Sequence, residues 1–417
     1  MVQFFDNKEE SERVILVAVY EKGGKQESFD ELEELVKTAG AVSVGKISQN
    51  LESVNGITYL GKGKLEELKT MLVALDATGI VCDTELTPVQ MKNLSQILNI
   101  KIMDRTMVIL DIFAARANTK EGKIQVELAQ LKYNATMLVG LRPSLSRLGG
   151  GIGTRGPGEK KLEMDKRLIR EQISKLKKDL EEVKQHRITQ RKRRTSNDSP
   201  VACIVGYTNA GKSTLLNQLT RADVLAEDKL FATLDPTTRA LQLPSGQNIM
   251  LTDTVGFISR LPHHLIQAFR STLEEAKYSD MILHVVDASN QDMDRQMHAV
   301  YETLRQLEIE DKPVITVFNK KDKLSVIPAL KDLRADATVF VSAKNGEGFP
   351  QLFNLIECKL QENRVYVETL VSYEEAALLA NIRRYGQLLS EEYKEEGIFI
   401  KAYARKQDAA NLGQDRM

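Results

Sequence analysis

The stretch Gly206-Tyr207-Thr208-Asn209-Ala210-Gly211-Lys212-Ser213 fits the pattern G-x-x-x-x-G-K-[ST]. It follows the apolar run Val201–Val205 directly and opens onto Thr214-Leu215-Leu216-Asn217, which reads as a helix. Strand, glycine-bearing turn and helix in that order make a phosphate-binding loop. The glycines let backbone N–H groups converge on phosphate oxygens, and the helix N-terminus adds positive potential. Lys212 is placed to reach the β- and γ-phosphates, and Ser213 to ligate Mg²⁺.

Three further segments follow in the order a guanine-nucleotide switch requires. Asn319-Lys320-Lys321-Asp322 comes straight after the strand-like Val314–Phe318. A carboxylate there accepts from both guanine N1–H and the exocyclic amine, which adenine lacks, so Asp322 favours GTP over ATP. Ser342-Ala343-Lys344 follows another strand-like run, Thr338–Val341, and its backbone is placed to meet guanine O6. Asp253-Thr254-Val255-Gly256 ends the run Asn248–Thr252, offering a carboxylate to Mg²⁺ and the Gly256 N–H to the γ-phosphate. The residue after Gly256 is Phe257, where many GTPases carry a glutamine that orients the attacking water. An aromatic ring makes no such hydrogen bond, so unaided hydrolysis is expected to be slow, whether or not Phe257 also packs into the core.

With these motifs in place the chain resembles translational-factor-related GTPases, and closely the HflX family of ribosome-associated GTPases. The resemblance rests on Leu230-Phe231-Ala232-Thr233-Leu234-Asp235-Pro236-Thr237-Thr238-Arg239, on Asp253-Thr254-Val255-Gly256-Phe257-Ile258, and on a long glycine-rich and helical segment before the G domain. It implies that Thr233 closes on Mg²⁺ and the γ-phosphate, with Phe231, Ala232, Leu234 and Asp235 lining the same loop; from sequence alone Thr237 or Thr238 could serve. Lys212, Thr233 and Gly256 are then the expected catalytic set, and Ser213, Thr233 and Asp253 the expected Mg²⁺ ligands. The resemblance further implies a ribosome partner, mainly large-subunit rRNA, with a GTP-bound form that separates stalled or idle ribosomes, often under stress. The family's link to ATP raises a second nucleotide site in the N-terminal part. The segment there, Gly61-Lys62-Gly63-Lys64, lacks the complete loop pattern and reads better as a turn and helix start.

The composition fits a several-domain cytoplasmic protein, expected to be monomeric and without a DNA partner. At 417 residues and 42% hydrophobic the chain has material for more than one core. Cys82, Cys203 and Cys358 are scattered, matching neither a disulfide framework nor a metal set. The apolar run Val14–Tyr20 is far too short to cross a bilayer.

The fold class is α/β: a P-loop GTPase domain, preceded by a small α/β domain with a long helical hairpin and followed by a small α+β domain. The expected divisions are 1–120, 121–198, 199–362 and 363–417. Residues 13 to about 105 alternate strand-like and helix-like runs, as a small parallel sheet does. From Ile124 the pattern turns helical, with Ile124, Leu128, Leu131, Ala135 and Leu138 on one seam. Leu162, Ile169, Ile173, Leu176, Leu180 and Val183 form a second, so an antiparallel hairpin is expected. Its connecting loop carries seven glycines between Gly140 and Gly158, together with Arg142, Arg147 and Arg155.

Between Arg142 and Arg194 there are 17 Lys/Arg against 7 Asp/Glu, a net of +10 in a chain whose total is zero. A glycine-rich arginine loop on a basic hairpin suits folded RNA: phosphates attract the cations, and bare backbone approaches riboses closely. Arg142, Arg147, Arg155, Arg191, Lys192, Arg193 and Arg194 are the RNA-binding candidates. Beyond the G domain, Val365–Val371 and Gly397–Ala404 read as strands flanking a helical Tyr373–Ser390.

Overall fold

The computed structural model describes the chain outside residues 1–10, 22–28, 140–156, 196–198, 221–229, 232–234, 260–274, 310, 327–329, 363, 405–407, 410–411 and 413–417. The described residues form two compact units, one ending at Lys184 and one beginning at Gln185.

The first unit is built on the parallel sheet β2-β1-β3-β4, from β1 (Arg13–Glu21), β2 (Val42–Leu51), β3 (Gly79–Cys82) and β4 (Lys101–Asp104). Helices α1 (Asp30–Thr38), α2 (Lys62–Ala74) and α3 (Pro88–Leu98) connect the strands. In β1 every residue from Val14 to Tyr20 is buried, which is why it reads as an unbroken apolar run. Thr87 and Gln90 form a capping box at the start of α3, with Pro88 in its first turn. Gly61 caps α2, and its N–H donates to Gln49 Oε1 at 2.9 Å.

Two elements of this unit carry no clear mark in the sequence, β4 and α4 (Arg105–Arg116). β4 is only four residues long, and α4 buries Val108, Ile109, Leu110, Ile112 and Phe113, leaving little amphipathic period to read. Asp104 joins them: its buried carboxylate accepts from Met107 N at 2.9 Å, Leu86 N at 3.0 Å and Tyr133 Oη at 2.9 Å.

Helices α5 (Lys120–Val139) and α6 (Pro157–Thr195) follow. Ile124, Leu128 and Leu131 pack with Ile173, Leu176, Leu180 and Val183, the central part of the expected seams. The glycine-rich connection lies outside the described residues except at Pro157 and Gly158, which are already within α6.

The second unit carries the six-stranded sheet β10-β9-β8-β5-β7-β6. Its strands are β5 (Val201–Gly206), β6 (Thr237–Gln242), β7 (Asn248–Asp253), β8 (Met281–Asp287), β9 (Val314–Asn319) and β10 (Ala337–Phe340). All neighbours are parallel except β6 against β7. Helices α7 (Lys212–Thr220), α8 (Met293–Gln306) and α9 (Phe349–Glu362) belong to the same body, whose core includes Ile204, Leu215, Leu251, Leu283, Val317 and Ile356. Because parallel strands end on one edge, β5, β7 and β9 deliver Gly206, Asp253 and Asn319 to that common edge.

The C-terminal segment forms the antiparallel sheet β11-β13-β12, with β11 (Val365–Val371), β12 (Gln387–Lys394), β13 (Gly397–Ala404) and helix α10 (Ala376–Tyr385). The expected helix through Ser390 is thus corrected: it stops at Tyr385, and Gln387–Ser390 is strand. A Cβ on Gly386 would fall 2.7 Å from Ile382 O and 2.8 Å from Tyr403 O, so the chain crosses tightly there and leaves in extended form.

Candidate functional site

The loop between β5 and α7 is closed on itself and on its neighbours. Lys212 is buried, and its Nζ donates to Tyr207 O at 2.8 Å. Burial strips water from the ammonium and pulls its pKa down to about 8, while Asp253 acts in the opposite direction. Ser213 Oγ donates to Asp253 Oδ2 at 2.7 Å, so the two oxygens expected to share a metal are already paired. Asp253 is fully buried at the end of β7, and Thr254 Oγ1 donates to Ile204 O at 2.8 Å, fixing that turn.

Gly211 has φ +95°, and a Cβ on it would fall 2.2 Å from Asn319 Nδ2. Only glycine satisfies both conditions. Asn319 joins two motifs: its Nδ2 donates to Ala210 O at 2.9 Å, and its Oδ1 accepts from Ala343 N at 2.9 Å. Within the Ser342-Ala343-Lys344 segment, whose backbone is expected to meet guanine O6, the Ala343 N–H is therefore engaged by Asn319. Asp322 is exposed and accepts from Ser342 Oγ at 2.6 Å; that bond holds its carboxyl below the usual range. Lys320 pairs with Asp287 at 2.7 Å and Lys321 with Glu347 at 3.4 Å, while Lys344 is exposed.

The segment after Asp253 lies along the phosphate loop. Phe257 N donates to Gly206 O at 3.1 Å, and Thr208 N donates to Phe257 O at 2.7 Å. The Phe257 ring is buried, so it packs as well as replacing the usual glutamine. Tyr207 Oη accepts from Ser259 N at 2.6 Å and lies 2.7 Å from Ser259 Oγ. No local pattern announced this link, since it depends on two loops meeting.

Of the expected switch residues, Phe231 is buried with φ +55° and Asp235 is half-buried. Ala232, Thr233 and Leu234 lie outside the described residues. Thr237 and Thr238, the alternatives to Thr233, stand in β6, where Thr238 Oγ1 is 3.0 Å from Thr252 Oγ1. Arg142, Arg147 and Arg155 also lie outside the described residues, and Arg191, Lys192, Arg193 and Arg194 lie on α6.

The chain is 63% identical over 418 residues to GTPase HflX of Lacrimispora saccharolytica, across 100% of this chain and 99% of that one. This chain belongs to the HflX family. It is a GTPase, converting GTP to GDP and phosphate. GTPase HflX of Caldanaerobacter subterraneus is 50% identical over 94% of this chain and 91% of its own. Family models described as GTP-binding GTPase N-terminal and GTP-binding GTPase Middle Region match residues 26–114 and 116–194. A third, described as 50S ribosome-binding GTPase, matches residues 201–320. Among solved structures, a GTP-binding protein of Sulfolobus solfataricus with GDP is 25% identical, with a TM-score of 0.44, covering 84% of this chain and 99% of that one. Among the described residues, no helix of this HflX-family chain is long and apolar enough to cross a membrane.

Proposed function

We propose that GTP occupies the crevice above β5, β7 and β9 and that hydrolysis there governs binding to the large ribosomal subunit. The observation that carries the nucleotide assignment is the convergence of Lys212, Ser213, Asp253, Asn319, Asp322 and Ser342 from four separate chain segments. The loop from Gly206 to Ser213 cradles the phosphates, Asp322 reads the guanine edge, and Gly256 offers its N–H to the γ-phosphate. Hard oxygens suit Mg²⁺, and the paired Ser213 hydroxyl and Asp253 carboxylate supply them, with Thr233 as the third ligand. When bound, the ion neutralises charge developing on the phosphates.

The ribosomal half of the reading is supported by the net +10 between Arg142 and Arg194 and by the family model described as 50S ribosome-binding. In this reading the protein works in the cytoplasm and its GTP-bound form separates stalled or idle ribosomes. In the same proposal the chain divides near residues 120, 198 and 362 into an N-terminal domain, a basic hairpin, a G domain and a C-terminal domain. Sedimentation with ribosomes under a GTP analogue, GDP and an ATP analogue tests the proposal. Co-sedimentation with the large subunit under the GTP analogue alone is expected; equal binding in all three conditions would contradict nucleotide control.

A further inference from the structure

Hydrolysis needs a group that holds water in line with the terminal phosphate, and Phe257 supplies none. The backbone ladder that pins Phe257 brings another side chain to the same place. A Cβ on Gly256 would fall 2.7 Å from Thr208 Cγ2 and 2.9 Å from Lys212 Nζ, so Thr208 lies against the γ-phosphate end of the loop. Thr208 is 6% exposed, and its Oγ1 is buried without a hydrogen-bond partner among the described residues. Neighbouring hydroxyls are already committed: Ser213 to Asp253, Thr254 to Ile204 O, and Tyr207 and Ser259 to each other. A buried hydroxyl is costly to leave unbonded, and like a glutamine amide it both donates and accepts.

We propose that Thr208 Oγ1 holds the attacking water against the terminal phosphate of GTP, doing the work that glutamine does elsewhere. This rests on the reading of Gly206–Ser213 as the phosphate loop. In the step, the water oxygen bonds to the γ-phosphorus as the bond from that phosphorus to the β,γ-bridging oxygen breaks. GDP leaves with the electron pair, and the water proton passes to a phosphate oxygen. Thr208 orients the water and is unchanged.

The test compares Thr208→Val, which keeps the shape and removes the hydroxyl, with Thr208→Ser, which keeps the hydroxyl. Single-turnover hydrolysis at saturating GTP is measured with and without large ribosomal subunits, alongside affinities for GDP and a non-hydrolysable GTP analogue. Thr208→Val is expected to lose roughly tenfold or more in rate, with both affinities within about twofold of wild type, and Thr208→Ser to recover most of the rate. Wild-type rate in Thr208→Val, or a serine variant as slow as the valine one, would overturn the proposal. So would loss of GDP affinity by Thr208→Val, which marks a packing role. Failure of the wild-type protein to bind GDP would instead count against the phosphate-loop reading itself.

Discussion

Asp322 and Lys212 meet their surroundings in opposite ways: the exposed carboxylate is favoured in its charged form, whereas the buried ammonium is disfavoured in its own. Replacing Asp322 by Asn removes the charge-assisted acceptor for guanine. GTP affinity should fall by about 1.5–3 kcal/mol with a gain for xanthine nucleotides, read by equilibrium titration. Lys212 must be protonated to hold phosphate, and its pKa in the nucleotide-free protein is about 8. Above that value binding has to take up a proton, so GTP affinity should be flat below about pH 8 and decline above it. Titrations across that range should show the decline in wild type and not in Lys212→Ala.

His284 makes a stability prediction of the same kind. It is buried on β8 with its ring edge-on to Tyr301, and burial drops its pKa from 6.5 to about 4. Between those values the unfolded chain binds the extra proton, so the contribution is complete above 6.5 and is lost as pH falls towards 4. The loss is roughly 3 kcal/mol, and urea unfolding of His284→Gln should show a shallower acid dependence than wild type.

At the scale of elements, the seam between α5 and α6 was legible because a heptad pattern records which face each helix buries. Leu176 is 9% exposed among Ile124, Leu128 and Leu131. Leu176→Ala should destabilise this pairing by about 2–3 kcal/mol, seen as faster hydrogen exchange in α5 with little change in the G-domain strands. β4, α4 and β12 were less legible for separate reasons. β4 is very short, α4 buries a wide face that includes the polar Arg105 and Thr106, and β12 carries the helix-favouring Leu-Leu-Ser-Glu-Glu yet is claimed by pairing with β13.

For the whole molecule, slow unaided turnover and stimulation by large ribosomal subunits are the expected behaviour, on the expectation that a bound partner completes the catalytic arrangement. Fast turnover unchanged by ribosomes would refute this. Neutralising Arg191, Lys192, Arg193 and Arg194 should flatten the salt dependence of ribosome binding by up to about four in log–log slope, with GTP affinity intact. Replacing Arg147 and Arg155 by alanine should impair subunit separation, followed by light scattering, more than it impairs GTP binding. If those variants separate subunits as wild type does at full occupancy, the loop is only a connector.

The sequence by itself determined the nucleotide motifs, the parallel rhythm of the first sheet and the helical seam. Each is written in neighbouring residues: glycines where backbone must approach phosphate, apolar positions at the spacing of the buried face. Tertiary structure alone decided which groups meet across the chain. The 109-residue separation of Asn319 from Ala210 and the placing of Thr208 against Gly256 depend on β5, β7 and β9 ending on one edge. Strand pairing sets that alignment, and no short window of sequence contains it.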